Sequence, residues 1–283
     1  MTLAQAQATV VASAQQKASN SSFYSAMRLM PRAEREAMFA IYGFCRIVDD
    51  IADDGIGTRE ERKVELVKWR VELDELYAGN PSERAHFLVE PVEKYGLRKA
   101  DFLTVIDGMD MDVAEDIVAP PKKTLDLYCE RVASAVGRLS IKVFGMEEGP
   151  GDELAHHLGR ALQLTNILRD IDEDAGIGRC YLPREYLKDA GITSLDPKSI
   201  VADPRVDQVC KAVARDAHAW YDGAAAVLAK KPKGRIGTPR LMGAVYEEIL
   251  RQTEVVGWKP PRIRVSLSKP KLLGIVVRHG LFG

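Results

Sequence analysis

Apolar residues recur along this chain at intervals of three and four. Met38, Ile41, Tyr42, Cys45, Val48 and Ile51 trace one face, and Leu125, Tyr128, Val132, Ala135, Leu139 and Val143 a second. Leu158, Leu162, Thr165, Leu168 and Ile171 trace a third. This is the helical period, and each series predicts an amphipathic helix with one stripe turned to a core. Two-residue alternation is confined to Ile263, Val265 and Leu267, so the expected class is all-α. Glycine and proline set the punctuation. Pro31 precedes a helix over about 33–51, and Gly55 and Gly57 stop it. Further breaks fall at Gly79, Gly96, Pro120-Pro121, Gly149-Pro150-Gly151, Gly176 and Pro260-Pro261, with Lys230 to Pro239 the expected mobile loop. No linker is long enough to free a second unit. One helical domain over 1–283 is expected, with 1–18 flexible and 259–283 a basic tail.

The polar positions carry the sharper signal. One string reads Arg46-Ile-Val-Asp49-Asp50-Ile-Ala-Asp53, and another Asn166-Ile-Leu-Arg169-Asp170-Ile-Asp-Glu-Asp174. Each puts two aspartates four apart near the end of an apolar helix, where both carboxylates can reach one cation. Tyr42, Arg46, Asp49 and Asp53 form one polar stripe; Gln163, Asn166, Asp170 and Asp174 form the other. Negative charge at a helix C-terminus opposes the macrodipole by about 0.3–1 kcal/mol per group. A solvated acidic helix end would explain one such string, but a matched pair carrying amides points to bound cations. Carboxylate, amide and water oxygens without His or Cys suit magnesium, or manganese in its place. His156 and His157 are adjacent and read as surface or core residues rather than ligands. Magnesium completes its shell with water and phosphate oxygens, so the implied substrate is a diphosphate. In an apolar bundle that diphosphate would carry a long hydrocarbon. Its ionisation would leave an allylic cation, for which Phe23, Tyr42, Phe44 and Tyr128 are candidate stabilisers or plain core residues.

Composition narrows the class. Forty basic and forty-one acidic side chains in 283 residues give a net charge of −1, which argues against a nucleic-acid binder. The four cysteines form no C-x-x-C pair, so zinc sites of that spacing are excluded and reduced cytoplasmic thiols are expected. No run of 18 apolar residues occurs, and Met1 to Gln16 lacks a secretory pattern. The tail from Lys259 onward holds six Lys and Arg residues, no acid, and the apolar run Leu272 to Val277. It could seat the protein peripherally on the inner face of a membrane. Alternatively, Arg264 and Lys269 serve the anion site while the run packs on the bundle.

At these residues the chain resembles the squalene and phytoene synthase family, whose members join two prenyl diphosphates head to head. The resemblance is carried by Ser22-Phe23-Tyr24, Tyr42 to Asp53, Tyr128 to Gly137, Gln163 to Asp174 and Gly178 to Glu185. It implies an isoprenoid synthase helical bundle around a central apolar cavity. It further implies that Asp49, Asp53, Asn166, Asp170 and Asp174 bind magnesium, with Gln163 lining the same site. Arg46, Arg169 and Arg264 would hold diphosphate oxygens, and Tyr246 matches a tyrosine that contacts diphosphate. Tyr42 and Phe23 would line the substrate site, and Tyr128 lies in the central-helix motif. There Glu130 and Arg131 replace the tyrosine or histidine of several relatives, and Asn20-Ser21-Ser22 replaces a basic start. Within the family, the strings after Phe23, Tyr128 and Asn166 look most like the bacterial hopanoid-pathway members. Those condense two farnesyl diphosphates into presqualene diphosphate without NADPH and hand it to downstream pathway enzymes.

Phytoene or dehydrosqualene synthesis, and full NADPH-dependent squalene synthesis, are the neighbouring alternatives. A head-to-tail prenyltransferase would carry an arginine pair after the first motif, where Gly55-Ile-Gly-Thr-Arg59 stands. A class I terpene cyclase would carry an Asn/Ser/Glu triad in the second motif. Non-enzymatic assembly factors of the same family tend to lose the aspartates, and this chain keeps all four.

Overall fold

The computed structural model describes residues 27, 30–53 and 57–280, without the side chains of 53, 279 and 280. Phe23 and the stretch 1–18 lie outside the described residues. Local signals set the helix ends. Helix α1 (Arg32–Asp53) starts directly after Pro31. Helix α2 (Arg59–Tyr77) opens on a capping box, in which Thr58 Oγ1 accepts from the Glu61 amide and the Glu61 carboxylate from the Thr58 amide. A 3-10 turn (His86–Leu88) leads to α3 (Val89–Tyr95), α4 (Lys99–Ala114) and α5 (Lys122–Cys129). A π turn (Glu130–Ser134) follows, then α6 (Ala135–Val143), α7 (Glu148–Arg169) and α8 (Ile171–Gly176). The chain continues through α9 (Arg184–Asp189), α10 (Pro197–Ala202), α11 (Val206–Ala229), α12 (Gly237–Val256) and α13 (Lys269–Gly280). Among the described residues there is no strand; Val118 and Cys180 form one isolated bridge. The expected all-α class is what the chain adopts.

Helix α7 is the axis of the bundle. Helix α11 runs along it, α6 and α12 flank it, and α1 and α4 close the far side against α6. The close crossing at the π turn depends on Gly159, where a Cβ would stand 2.7 Å from the backbone nitrogen and Cα of Ser134. Buried side chains from Met38 on α1 to Trp258 beyond α12 form one continuous cluster. Phe44 belongs to it: the ring lies edge-on to Trp69 and Phe102 and is fully buried. It is therefore a core residue and leaves the list of candidate cation stabilisers.

The second apolar series runs through a π turn between α5 and α6, and its residues stay on the core side: Leu125, Tyr128, Ala135, Leu139 and Val143 are buried and Val132 packs against them. In the segment from Lys230 to Pro239, residues 231–236 form a loop in which Arg235 pairs with Glu34 at 3.1 Å and donates its amide to Phe144 O. Pro239 lies in the first turn of α12. The apolar run of the tail is divided, with Leu272, Ile275 and Val276 packed on α12 while Leu273 and Val277 face outward.

Candidate active site

The first polar stripe lies along α1. Arg46 binds Asp49 at 2.5 Å and Asp50 at 2.6 Å. Tyr42, one turn earlier, is half-buried. Burial raises its phenol pKa, Arg46 opposes this, and Asp49 and Tyr246 add to it. Asp53 is the last residue of the helix, and its side chain is outside the described set.

The second stripe departs from the expected single helix. The backbone breaks at Asp170 (φ −108°, ψ 18°), and Asp174 sits in α8. The helical spacing survives the break, because Asp170 N still donates to Asn166 O and Asp174 N to Asp170 O, each at 2.9 Å. Asp170 is gripped by Arg169 through Nε at 2.7 Å and a second nitrogen at 2.5 Å. Arg264 Nε reaches the same carboxylate at 2.8 Å and Glu173 at 3.3 Å. Burial pushes the Asp170 carboxyl up, and the two guanidiniums more than offset it, leaving it below its ordinary value. Tyr246 has its phenol pKa raised by burial, against the hydrogen bond from Arg169.

Between the stripes lies a cluster that sequence reasoning gave only in part. Tyr128 donates to Asp112 Oδ2 and Tyr181 to Asp112 Oδ1, each at 3.1 Å. Burial, Tyr181, Asp112 and then Asp49 push the Tyr128 phenol well above its ordinary pKa. The Tyr181 phenol is also raised, by burial first and then Asp112, with Asp174 contributing. The paired phenols therefore lie within the fields of both aspartate clusters. Asp112 had a readable signal: with Val105 and Met109 it continues the buried face of α4, and a carboxylate on such a face needs partners. Tyr181 sits in a matched string without a role.

Glu130, by contrast, binds Arg138 and, at 2.8 Å, Arg160, inside a ladder that also joins Asp101 and Asp126. The charge standing where relatives carry an aromatic residue is a structural one. His156 lies edge-on to Trp220 and His157 is tilted against the same ring.

Beside the stripes opens a cavity of about 180 Å³ between α6, α7 and α12. Val136, Ile141, Phe144, Leu158 and Met242 line it, and Gln163, Asn166 and Tyr246 supply its polar atoms. Ser140, also in the wall, spends its hydroxyl on Val136 O of its own helix. The wall is thus dry, and the polar lining lies on the turns of α7 that lead to Asp170.

The donor set fits a hard cation. Asp49, Asp170 and Asp174 offer carboxylates and Asn166 an amide oxygen, all hard oxygen donors. Among the described residues no three His, Cys, Asp or Glu side chains converge on one point. Magnesium needs only one or two protein carboxylates when water and phosphate fill the rest of its shell.

The chain is similar to known proteins over most of its length. The chain is 57% identical over 261 residues to a presqualene diphosphate synthase of Zymomonas mobilis, covering 92% of this chain and 89% of that one. It is 50% identical to the presqualene diphosphate synthase of Rhodopseudomonas palustris, covering 92% and 93%. A 15-cis-phytoene synthase of Synechococcus elongatus is 37% identical over 65% of this chain and 63% of its own. Among solved structures, the squalene synthase HpnC of Alicyclobacillus acidocaldarius superposes with a TM-score of 0.78 at 26% identity, covering 90% and 96% of the two chains. Residues 16–271 match the squalene/phytoene synthase family, and the chain belongs to it.

Proposed function

We propose that the protein condenses two farnesyl diphosphates head to head into presqualene diphosphate, releasing diphosphate and a proton, as a step of squalene and hopanoid synthesis. The observation that carries this reading is the dry cavity whose polar lining leads to two aspartate stripes. Its hydrocarbon wall suits a prenyl chain, and the stripes suit the charged head. The higher identity to presqualene diphosphate synthases than to a phytoene synthase supports the farnesyl substrate.

In this reading Arg46, Arg169 and Arg264 hold diphosphate oxygens, and Asp49, Asp53, Asn166, Asp170 and Asp174 hold magnesium or manganese. The bound cations supply Lewis acidity to the departing diphosphate. Tyr246 lines the cavity from α12, and Tyr42 keeps the substrate-lining role that the resemblance implies. Gln163 and Asn166 orient the head, and Phe23 keeps the substrate-lining role that the resemblance implies. The phenol of Tyr128 faces the developing cation and takes the proton lost from carbon. No NADPH is needed, because this half of the sequence involves no reduction.

Release of so apolar a product is easier into lipid than into water. Helix α13 offers a contact: Leu273 (63% exposed) and Val277 (43% exposed) lie one turn apart, among Lys269, Lys271 and Arg278. Basic groups at an anionic leaflet contribute about 1 kcal/mol each, enough for reversible seating.

The test is incubation of the purified chain with farnesyl diphosphate and magnesium, without NADPH, followed by product identification. Presqualene diphosphate is expected, and adding NADPH should not change it. Squalene formed in an NADPH-dependent way would make the protein a full squalene synthase. Turnover of geranylgeranyl diphosphate alone would make it a phytoene synthase.

A further inference from the structure

Asp112 has no task in the scheme above, yet it is placed with care. It projects from α4 into the core at 4% exposure and receives one phenol on each carboxylate oxygen. The two rings are stacked, with centroids 5.0 Å apart and planes 22° from parallel, and their hydroxyl oxygens are 3.4 Å apart. Each phenol has one proton to give. A hydrogen bond to a carboxylate is stronger than one to a second phenol, and here the oxygens are also closer, 3.1 Å against 3.4 Å. Both protons therefore point to Asp112. The lone pairs left on the phenol oxygens point elsewhere, and the charges that reach the two rings beyond Asp112 include Asp49 and Asp174 of the opposing stripes.

The chemistry needs such a group. Diphosphate leaves with the electron pair of its carbon–oxygen bond. The first new carbon–carbon bond takes the pair of the second substrate's double bond. The bond that closes the cyclopropane takes the pair of a carbon–hydrogen bond, so one proton must pass to a base. A neutral phenol is a poor acceptor unless its own proton can move on at the same moment.

We propose that Asp112 is the positioning residue of this proton loss, aiming Tyr128 by accepting its hydroxyl proton while Tyr181 holds the other carboxylate oxygen in place. As carbon gives its proton to the Tyr128 oxygen, the Tyr128 proton moves to Asp112 Oδ2. The phenol is regenerated in the same step, and Asp112 returns its proton to water when the product leaves. No oxidant or reductant is involved. The role rests on the condensation proposed above and adds to it two residues, Asp112 and Tyr181.

The test compares wild type, Asp112→Asn, Asp112→Glu and Tyr181→Phe, each checked for its thermal transition. Two quantities are read: KM and kcat for farnesyl diphosphate, and the ratio of presqualene diphosphate formed to diphosphate released. Asp112→Asn keeps the shape but turns an amide N–H toward one phenol. Its kcat should fall about a hundredfold or more, the usual loss when a proton-transfer group is disabled, with KM nearly unchanged. Its coupling ratio should fall too, as water captures the stranded cation to give alcohols. Tyr181→Phe should lower the ratio less, and Asp112→Glu should restore part of it. A folded Asp112→Asn variant with the wild-type ratio would overturn the role, as would a loss expressed only in KM. Should Asp112→Asn fail to fold, Tyr181→Phe decides by the same ratio, and an unchanged value there overturns the role. Wild type that forms no presqualene diphosphate would overturn the condensation itself, a result separate from any of these.

Discussion

The indole nitrogen of Trp258 lies 2.8 Å from the carbonyl oxygen of Leu168, a residue ninety positions earlier. The Trp258 amide donates to Asp207 at 2.9 Å, and the ring is buried to 1% exposure. This contact fixes the start of the tail to the end of α7, two residues before Asp170. From there Arg262 reaches Asp172 at 2.7 Å and Arg264 reaches Asp170 at 2.8 Å. The segment that carries Arg264 to Asp170 is therefore without regular structure, held by buried Trp258 and by Arg262, which also donates to Val201 O.

Replacing that ring should loosen both fold and site. Trp258→Ala is expected to cost about 3–5 kcal/mol in urea unfolding, the range for losing a large buried aromatic. It should also raise KM for farnesyl diphosphate, because Arg264 loses its anchor. Trp258→Phe, which fills most of the space but drops the hydrogen bond to Leu168, should fall between the two.

The metal reading predicts that EDTA abolishes turnover. Asp49→Asn, Asp53→Asn, Asp170→Asn and Asp174→Asn should each cost several orders of magnitude in kcat/KM. Calorimetric binding of inorganic diphosphate with magnesium should weaken about tenfold or more in Arg264→Ala, since a hydrogen bond to a charged group contributes about 1.5–3 kcal/mol. Retained turnover in the double variant Asp49→Asn, Asp170→Asn would sink the assignment.

Phe144 stands in the cavity wall with Ile141, at the end of α6 and far along α7 from Asn166. Phe144→Ala should deepen the pocket at a stability cost of about 3–5 kcal/mol. The rate with geranylgeranyl diphosphate relative to farnesyl diphosphate should rise in competition assays. An unchanged ratio would mean that the chain end lies elsewhere.

Glu248 ties α12 to the tail through Lys271 at 3.1 Å. Hydrogen bonds from Arg251, and then Gln252 and Lys271 against a burial penalty, hold its carboxyl at about 2, below its ordinary 4.5. A carboxyl depressed by folding stabilises fully above its unfolded value and loses that contribution as pH falls through its folded one. The Tm advantage of wild type over Glu248→Gln should therefore be present at pH 6, shrink below about pH 4.5 and vanish near pH 2. Melting curves across that window test it, and a constant difference would speak against the contact.

Membrane seating is tested by sedimentation with anionic and neutral liposomes. The full chain should prefer anionic lipid in a salt-sensitive way, and a chain ending after Lys269 should lose that preference. Leu273→Ser with Val277→Ser should weaken binding without disturbing the packed residues Leu272, Ile275 and Val276. Equal sedimentation of all forms would remove α13 from the account.

The helical class and the family were legible in the sequence. The three- and four-residue period required helices, and two acidic strings at helix ends required something to neutralise them. Together with the flanking motifs they identified the family. Those signals are local, which is why they could be read from spacing alone. The tertiary structure decided what each apolar face meets. Phe44 and Tyr42 lie two residues apart on α1; one is sealed in the core and the other is half-buried, and periodicity treats a core and a dry cavity alike. It also decided that Glu130 serves a salt-bridge ladder, that Asp170 is shared by Arg169 and Arg264, and that Asp112 gathers Tyr128 and Tyr181. Apart from Arg169 with Asp170 and Glu130 with Arg138, these pairings join different helices or distant segments, and only the packing of α4, α7 and the tail brings them within hydrogen-bond reach.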